Sequence, residues 1–266
     1  MTRFLDQVIK EKQIELARKM RTYPILQMEH RARCQEVRGF FNAIRVRGSI
    51  IAEVKKRSPS IKAFPNSVIP EDLARIYANN GASAISVVTD TRNFGTSLAD
   101  VERIREAVSL PVLVKDFITH SYQIMEARAS GADAILLIAR ILTQERLSDL
   151  LGYTHDLGIH ALVECHSSED IVKATAAKAC IMGINNRDLD TLEISLETTR
   201  TLAALIPEEA ICVAESGIQN RQDVVDLLAA DAHAFLIGGA LLKARDPGAK
   251  LRELSGREPE SGAPRE

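Results

Sequence analysis

The sequence from Ile50 to Ser60 reads Ile-Ile-Ala-Glu-Val-Lys-Lys-Arg-Ser-Pro-Ser, so it begins apolar and ends charged. Successive side chains of a strand point to opposite faces, which places Ile51, Glu53 and Lys55 on the same face. Charged residues at the end of a strand that starts in a core indicate side chains aimed into a ligand-binding mouth. The alternative is a Glu–Lys pair in solvent at a strand end. The choice depends on whether other strands end in the same way.

After this stretch the chain repeats one pattern, in which an apolar run is followed by a polar loop, a helical segment and a Gly or Pro. We predict eight strands, at 50–55, 84–89, 111–115, 134–138, 160–165, 181–185, 210–215 and 234–238. We predict helices at 69–80, 98–108, 121–130, 144–157, 169–178, 197–205, 222–229 and 240–254. Gly81, Gly131 and Gly158 follow three of these helices, where a C-terminal cap needs left-handed backbone.

Eight strand–helix units with continuously apolar strands predict an α/β fold, the (β/α)8 barrel. An open doubly wound sheet is the alternative, but it would need a Gly-rich turn after its first strand, where this chain has Lys-Lys-Arg-Ser-Pro-Ser. We predict one domain over 1–254, with an N-terminal helical extension at 1–47 and the barrel at 48–254. The extension should contain a helix from residue 4 to about residue 20 and a shorter helix before Phe40, and a position over one end of the barrel would suit it. The segment 255–266 is expected to be disordered.

The charge balance argues for a small partner. The chain has 266 residues, with 34 basic against 36 acidic side chains and a formal net charge of -2, so it lacks the broad basic field that nucleic acid requires. The amino terminus lacks the apolar core of a signal peptide, and no run approaches the ~20 apolar residues of a membrane span. We therefore expect a cytoplasmic protein without nucleic-acid or membrane partners. A monomer or weak homodimer is also expected.

Cysteine and histidine give no sign of a metal. Cys34, Cys165, Cys180 and Cys212 lack ligand spacing, and we interpret them as buried free thiols in a reducing compartment. A metal barrel would place clustered His or Asp at its strand ends, so we predict no metal. His166 shares the inward parity of Glu164, but it lacks a partner motif and is interpreted as a structural or rim histidine.

In a (β/α)8 barrel the chemistry lies at the carboxyl ends of the strands. Three cations and two carboxylates occur there, and desolvating them together is costly unless a ligand or mutual pairing compensates. The group as a whole, with one amide, therefore predicts a site: Glu53, Lys55, Lys115, Glu164, Asn185 and Arg187.

Glycines near the chain's end point to a phosphate. Ser216 and Gly217 follow the seventh strand, Gly238 and Gly239 follow the eighth, and each pair leads into a predicted helix. Backbone N–H groups at helix starts on these two loops form the usual phosphate site of the barrel. A single loop glycine more often serves a turn, but the paired placement favours phosphate.

These residues carry a resemblance to a known family. The motifs are Glu53-x-Lys55 with Ser58-Pro59-Ser60, Lys115-Asp116-Phe117, Leu162-Val163-Glu164, Ile184-Asn185-Asn186-Arg187-Asp188-Leu189, Glu215-Ser216-Gly217-Ile218 and Leu236-Ile237-Gly238. In this order they resemble the indole-3-glycerol phosphate synthase family of tryptophan biosynthesis. The resemblance covers about residues 4–254. It implies a (β/α)8 barrel with amino-terminal helices over its mouth.

The resemblance also implies a reaction without metal or organic cofactor. The sugar-phosphate substrate, 1-(2-carboxyphenylamino)-1-deoxyribulose 5-phosphate, would close a ring, then lose carbon dioxide and water. Lys115 would be the general acid at the ketone oxygen, and Glu164 would stabilise the developing iminium and handle a proton. Which lysine serves which proton-transfer step stays open. The further residues implied are Glu53, Lys55, Asn185 and Arg187 in catalysis, Ser58, Ser60, Gly217, Gly238 and Gly239 toward the phosphate, Phe117 beside the aromatic ring, and Ser216 as a polar contact.

Residue chemistry suits these roles. An ammonium near other cations can have its pKa lowered toward working pH, which would favour Lys115 as an acid. A fixed carboxylate stabilises a developing cation more in the transition state than in the ground state. The chain departs from the family pattern at 61–64, where Lys-Gly is common, and at 94–97, where a second glycine is usual.

Two other functions remain possible on the sequence. A desolvated Lys115 could serve as the nucleophile of a Schiff-base aldolase acting on a sugar phosphate. A non-catalytic barrel that binds a phosphate ligand as a partner subunit is the second alternative, and the full set of acids and bases argues against it.

Overall fold

The computed structural model describes residues 4–58 and 68–257, and its eight parallel strands pair in chain order and close into a barrel. The strands are β1 (Ser49–Val54), β2 (Ala84–Val88), β3 (Val112–Lys115), β4 (Ala134–Ile138), β5 (His160–Cys165), β6 (Ile181–Asn185), β7 (Ile211–Glu215) and β8 (Ala234–Ile237). The predicted (β/α)8 barrel is confirmed. Each predicted strand end lies within about one residue of the observed one.

Helices precede the barrel and alternate with its strands. They are α1 (Phe4–Thr22), α2 (Ile25–Cys34), α3 (Phe40–Ile44), α4 (Pro70–Asn79), α5 (Thr91–Phe94), α6 (Leu98–Ala107), α7 (Ser121–Ala129), α8 (Gln144–Asp156), α9 (Ser168–Ala176), α10 (Glu197–Leu202), α11 (Arg221–Ala229), α12 (Gly239–Lys243) and α13 (Pro247–Ser255). Short 3-10 helices lie at Ala139–Ile141 and Ala203–Leu205. Gly81, Gly131 and Gly158 adopt the left-handed backbone predicted for helix caps.

The carboxyl-terminal helix was wrongly predicted as one element over 240–254. It is two helices, because Pro247 cannot continue a helix from the preceding turn but suits the first position of a new one. The Asp246 side chain caps this new helix by accepting the backbone N–H of Ala249. α13 ends at Ser255, so the expected disordered segment begins too early, and residues 258–266 of it lie outside the described chain.

The amino-terminal helices lie along the barrel and close one of its ends. α2 packs against α7, and α1 reaches the carboxyl mouth, where Lys12 forms an ion pair with Asp116. Phe40 and Ile44 of α3 belong to the interior cluster that includes Ala84, the first residue of β2. Phe41 stacks on His160, the first residue of β5. α3 therefore closes the amino-terminal end of the barrel, opposite the mouth that α1 approaches.

Strand side chains alternate between two apolar cores. In β1, Ile50, Ala52 and Val54 pack in the core between barrel and helices, whereas Ile51 packs in the barrel interior. Glu53 takes the next interior position, one pleat closer to the carboxyl end. The alternation that fills the barrel thus also aims a carboxylate into its mouth.

The cysteine prediction is wrong for two residues. Cys165 and Cys212 are buried, but Cys34 and Cys180 are exposed, since one ends α2 and the other precedes β6. All four are free thiols. No helix in the described part of the chain is long and apolar enough to cross a membrane.

Truncating the α3 side chain that closes the barrel tests its structural role. Phe40→Ala should lower the free energy of unfolding by about 3–5 kcal/mol, because Phe40 is fully buried and its removal leaves a cavity. Leu26→Ala is the control, since Leu26 is 72% exposed and should cost less than about 0.5 kcal/mol. Urea denaturation followed by circular dichroism measures both. Equal stability of the two variants would contradict the role given to α3.

Candidate active site

A cavity of about 370 Å³ opens at the carboxyl end of the barrel. Every predicted site residue in the described part of the chain lines it: Glu53, Lys55, Ser58, Lys115, Phe117, Glu164, Asn185, Arg187, Ser216, Gly217, Gly238 and Gly239. Ser60 lies outside the described residues. Segments far apart in sequence thus meet at one mouth, because parallel strands end on the same side of the barrel.

An ammonium shared by two carboxylates lies at the centre of this cavity. Lys115 Nζ, at the end of β3, lies 2.8 Å from Glu164 Oε2 of β5 and 3.2 Å from Glu215 Oε2 of β7. Both glutamates are only 1% exposed. Buried carboxylates are costly unless paired, so Lys115 is what makes this arrangement tenable.

The three groups hold their protons differently. Burial alone would lower the pKa of Lys115, but the charges of Glu164, Glu215 and Glu53 outweigh it and raise that pKa. The sequence-based expectation of a pKa lowered by cations is therefore wrong, because Lys115 is surrounded by carboxylates. Burial would raise the pKa of Glu164, but the charges of Lys115 and His166 lower it to about 2. Burial, with repulsion from Glu164, raises the pKa of Glu215 to about 8 despite Lys115.

A second ion pair faces the same cavity from β1. Lys55 Nζ donates to Glu53 Oε1, and the same ammonium lies 5.8 Å from the centroid of the Phe94 ring. Burial would raise the pKa of Glu53, but Lys55 and Lys115 outweigh it and lower that pKa. A Cβ at Gly238 would lie 2.1 Å from Glu53 Oε1, so this glycine also makes room for the carboxylate.

The end of β6 supports the first cluster. The Asn185 side chain hydrogen-bonds Glu164, and its Oδ1 accepts the backbone N–H of Arg187 at 3.0 Å. Arg187 Nη1 donates to the carbonyl of Leu192 at 3.0 Å. Asn185 therefore links the buried carboxylate to the loop that carries a cation into the mouth.

One wall of the cavity is apolar. Phe117 follows β3, Leu136 and Ile138 come from β4, and Leu189 follows β6. A planar apolar ligand group could lie against this wall, while its charged groups face the ion pairs.

The glycine loops differ from the prediction in detail. Ser216 and Gly217 both have left-handed backbone, but the helix after them begins only at Arg221 and is capped by the Asn220 side chain. The Asn220 Oδ1 accepts the backbone N–H of Asp223 at 3.0 Å, so this N–H of the helix is satisfied within the chain. After β8, α12 does begin at Gly239, where an added Cβ would meet no atom within 4 Å.

Several residues that line the cavity were not predicted, and among them Glu215 forms an ion pair with Lys115. Glu215 was left out of the site although it lies in a quoted motif and shares the inward parity of Val213 on β7. A Cβ at Gly183 would lie 2.1 Å from Glu215 Oε1, which explains the glycine opposite it. His166, interpreted as a structural or rim histidine, has its Nε2 3.4 Å from Glu164 Oε1, without the alignment of a hydrogen bond. Strand parity indicates that Glu215 faces inward, whereas its contact with Lys115 is given only by the structure.

A closed (β/α)8 barrel with paired acids and bases at its carboxyl mouth defines the class of (β/α)8-barrel enzymes. Within that class, the sequence model of the family described as Indole-3-glycerol phosphate synthase matches residues 5–254. The chain belongs to this family.

Similar proteins agree with this assignment. The protein named Indole-3-glycerol phosphate synthase from Burkholderia ambifaria is 43% identical over 259 residues, which cover 96% of this chain and 99% of the relative. The protein of the same name from Burkholderia lata is 42% identical over 259 residues, with the same coverage.

Solved structures resemble the chain in fold. The crystal structure of 3-hexulose-6-phosphate synthase has a TM-score of 0.63 at 13% identity, covering 78% of this chain and 98% of that one. The N-acetylmannosamine-6-phosphate 2-epimerase from Clostridium perfringens has a TM-score of 0.60 at 15% identity, covering 84% of this chain and 98% of that one. At such low identity the likeness establishes the barrel and nothing about chemistry.

The pKa of Glu215 leads to a prediction on stability. Between its ordinary value of 4.5 and about 8, the folded state keeps the Glu215 proton while the unfolded state releases it, so this residue's contribution to stability falls as pH rises. Glu215→Gln cannot titrate. The free energy of unfolding of the wild type, minus that of Glu215→Gln, should therefore fall by at least about 1 kcal/mol between about pH 5 and about pH 8. Urea denaturation across this range measures it, and a difference independent of pH would contradict the assignment.

Proposed function

We propose that the chain catalyses ring closure, decarboxylation and dehydration of 1-(2-carboxyphenylamino)-1-deoxyribulose 5-phosphate to indole-3-glycerol phosphate, as a carboxy-lyase of tryptophan biosynthesis. The observation that most supports this is the Lys115 ammonium held between Glu164 and Glu215 in a cavity with an apolar wall and two glycine loops. Membership of the family supports the same function independently of the site geometry.

The cavity suggests how this substrate would lie. Its aryl ring would pack against Phe117 and Leu136, and its phosphate would face the loops after β7 and β8, at Gly217 and Gly239. The ketone between these ends would then come close to Lys115. Ser58, Ser216, Gly238 and the outer residue Lys243 line the same cavity and would add polar contacts around the phosphate.

Lys115 is the general acid in this proposal. The aryl carbon that bears the carboxylate attacks the ketone carbon, and Lys115 gives its proton to the ketone oxygen as the new carbon–carbon bond forms. Its raised pKa means that the ammonium is fully populated before the substrate binds. The protonated carboxyl of Glu215, in contact with Lys115, can return a proton to the resulting amine.

Glu164 is the stabilising carboxylate in this proposal. Ring closure places positive charge on the anilino nitrogen, and an ionised Glu164 fixed in a dry site stabilises that charge without reorganising. Its pKa of about 2 keeps it ionised. Loss of carbon dioxide then returns electrons to the ring and removes the positive charge.

Dehydration needs a second acid and base. The hydroxyl formed from the ketone must leave as water, and a ring proton must be taken up. The Glu53–Lys55 pair faces the same cavity and can supply the proton for the leaving hydroxyl and accept the ring proton. Asn185 and Arg187 keep the neighbouring wall in place.

The geometry disfavours the Schiff-base alternative. A nucleophilic lysine must be a free amine, which requires a lowered pKa. Lys115 instead contacts two carboxylates that raise its pKa. A barrel that only bound a phosphate ligand would have no need of these buried, mutually paired acids and bases near an apolar wall.

The setting of the enzyme belongs to the same proposal. We infer one domain over 1–254 that works in the cytoplasm as a monomer or weak homodimer on a small sugar phosphate. The exposed free thiols of Cys34 and Cys180 support a reducing compartment.

The proposed function predicts that Lys115→Met lowers kcat by about 10²- to 10⁴-fold, because the acid at the ketone oxygen is lost while the side-chain volume is kept. Indole fluorescence that appears from the substrate measures turnover. Lys10→Met, the same change at an exposed position of α1, is the matched control and should leave turnover unchanged. Near-normal turnover of Lys115→Met would contradict the role of Lys115 as general acid. A wild type that forms no indole product would contradict the proposed function.

A further inference from the structure

Asp116 lies between Lys115 and Phe117, and its carboxylate joins three segments of the chain. Lys12 Nζ of α1 lies 2.8 Å from Oδ1 and 2.9 Å from Oδ2. Thr89 Oγ1, which follows β2, donates to Oδ2 at 2.8 Å, and the backbone N–H of Phe117 donates to Oδ1 at 2.8 Å. Both carboxylate oxygens are therefore occupied, and the position of Asp116 is fixed by charge-assisted bonds.

Lys12 is a poor candidate for an ordinary surface lysine. Its side chain is 12% exposed, close to the 14% of Asp116. Its other carboxylate neighbour, Glu15, lies 4.0 Å away. Removing an ammonium from water is costly unless a partner compensates, so Asp116 is what makes this position of Lys12 favourable.

The neighbouring residue of α1 contacts the next loop of the rim. Glu11 lies 2.6 Å from Arg92 Nη1 in α5, the helix that follows β2. We call the pairs Lys12–Asp116 and Glu11–Arg92 the α1 clasp. Because α5 ends at Phe94, whose ring faces Lys55, the clasp connects α1 with both loops that bring aromatic rings to the cavity.

Asp116 controls the direction of its two neighbours. The Phe117 N–H is held by Asp116, and its carbonyl accepts Gln123 Nε2 at 3.0 Å. Lys115 is the residue immediately before Asp116, so its side chain starts from the adjacent backbone position. A shift of the Asp116 carboxylate would therefore turn both the ring that lines the cavity and the ammonium between the glutamates.

α1 stays docked without this pair. Lys19 lies 3.2 Å from Glu126 of α7, and Tyr122 Oη donates to the carbonyls of Lys19 and Tyr23 at 3.2 Å each. A change at Lys12 alone can therefore loosen the rim while α1 remains on the barrel.

We propose that Lys12 is a positioning residue for the reaction, which acts through Asp116 to hold Lys115 and Phe117 in their working directions. This rests on the proposed function, because it takes Lys115 as the acid. The amino-terminal helix then contributes to catalysis through Lys12, although none of its described side chains lines the cavity.

The test compares kinetics of Lys12→Met with those of two related variants. Lys12→Met should lower kcat by about 10- to 100-fold, because a small misplacement of a catalytic group costs this much, and KM should change by less than about threefold. Lys12→Arg keeps a cation for Asp116 and should stay within about threefold of the wild type. Lys10→Met, on the same helix, should behave as the wild type.

Two further readouts separate positioning from simple destabilisation. Amide hydrogen exchange of the segment 115–120 should become faster in Lys12→Met and not in Lys10→Met. The double variant of Lys12→Met and Asp116→Asn should be no slower than the slower single variant, since both remove one linkage. Lys12→Gln serves as a second neutral variant if Lys12→Met folds poorly.

Three results would overturn the proposal: an unchanged kcat for Lys12→Met and Lys12→Gln, a loss in Lys12→Arg equal to that in Lys12→Met, or losses that multiply in the double variant. The exchange measurement does not depend on turnover. A wild type that forms no indole product would therefore reject the proposed function, while hydrogen exchange at 115–120 would still decide whether Lys12 orders this segment.

Discussion

The Lys115 ammonium between Glu164 and Glu215 is the interaction on which the site depends. Two buried carboxylates at this distance from one cation cannot both ionise freely, so one is held charged and the other keeps its proton near neutral pH. The result is an acid, a base and a stored proton in contact within one cavity. The absence of a side chain at Gly183 makes room for this arrangement, since any Cβ there would meet Glu215.

Barrel geometry explains why this cluster forms at one end. Interior positions near the amino-terminal ends of the strands are apolar and are closed by Phe40 and Ile44 of α3. Interior positions near the carboxyl ends instead carry Glu53, Lys115 and Glu164. Apolar packing at the closed end stabilises the fold and offsets the free-energy cost of burying charge at the open end. The amino-terminal extension thus serves both ends, with α3 in the interior and α1 at the rim.

The fold could be predicted because the same strand–helix pattern recurs eight times along the sequence. Eight apolar runs with helical segments between them determine the barrel, and strand parity then identifies inward residues such as Glu53, Lys115 and Glu164. Helix ends were harder, since a proline such as Pro247 can either break a helix or start one. Residues whose role depends on contacts were missed. Glu215 was quoted in a motif but not recognised as a site residue, and no local sequence pattern predicts that Lys12 pairs with Asp116. The pKa of Lys115 was wrongly predicted for the same reason, because sequence shows which charges exist but not which lie nearest.

A crystal structure with a reduced substrate analogue, in which the ketone is replaced by an alcohol, tests the central claim most directly. The account predicts the alcohol oxygen within hydrogen-bond distance of Lys115 Nζ, the aryl ring against Phe117, and the phosphate on the backbone of Gly217 and Gly239. A phosphate bound beside Lys115 and Glu164, or an analogue whose alcohol lies away from both, would contradict it.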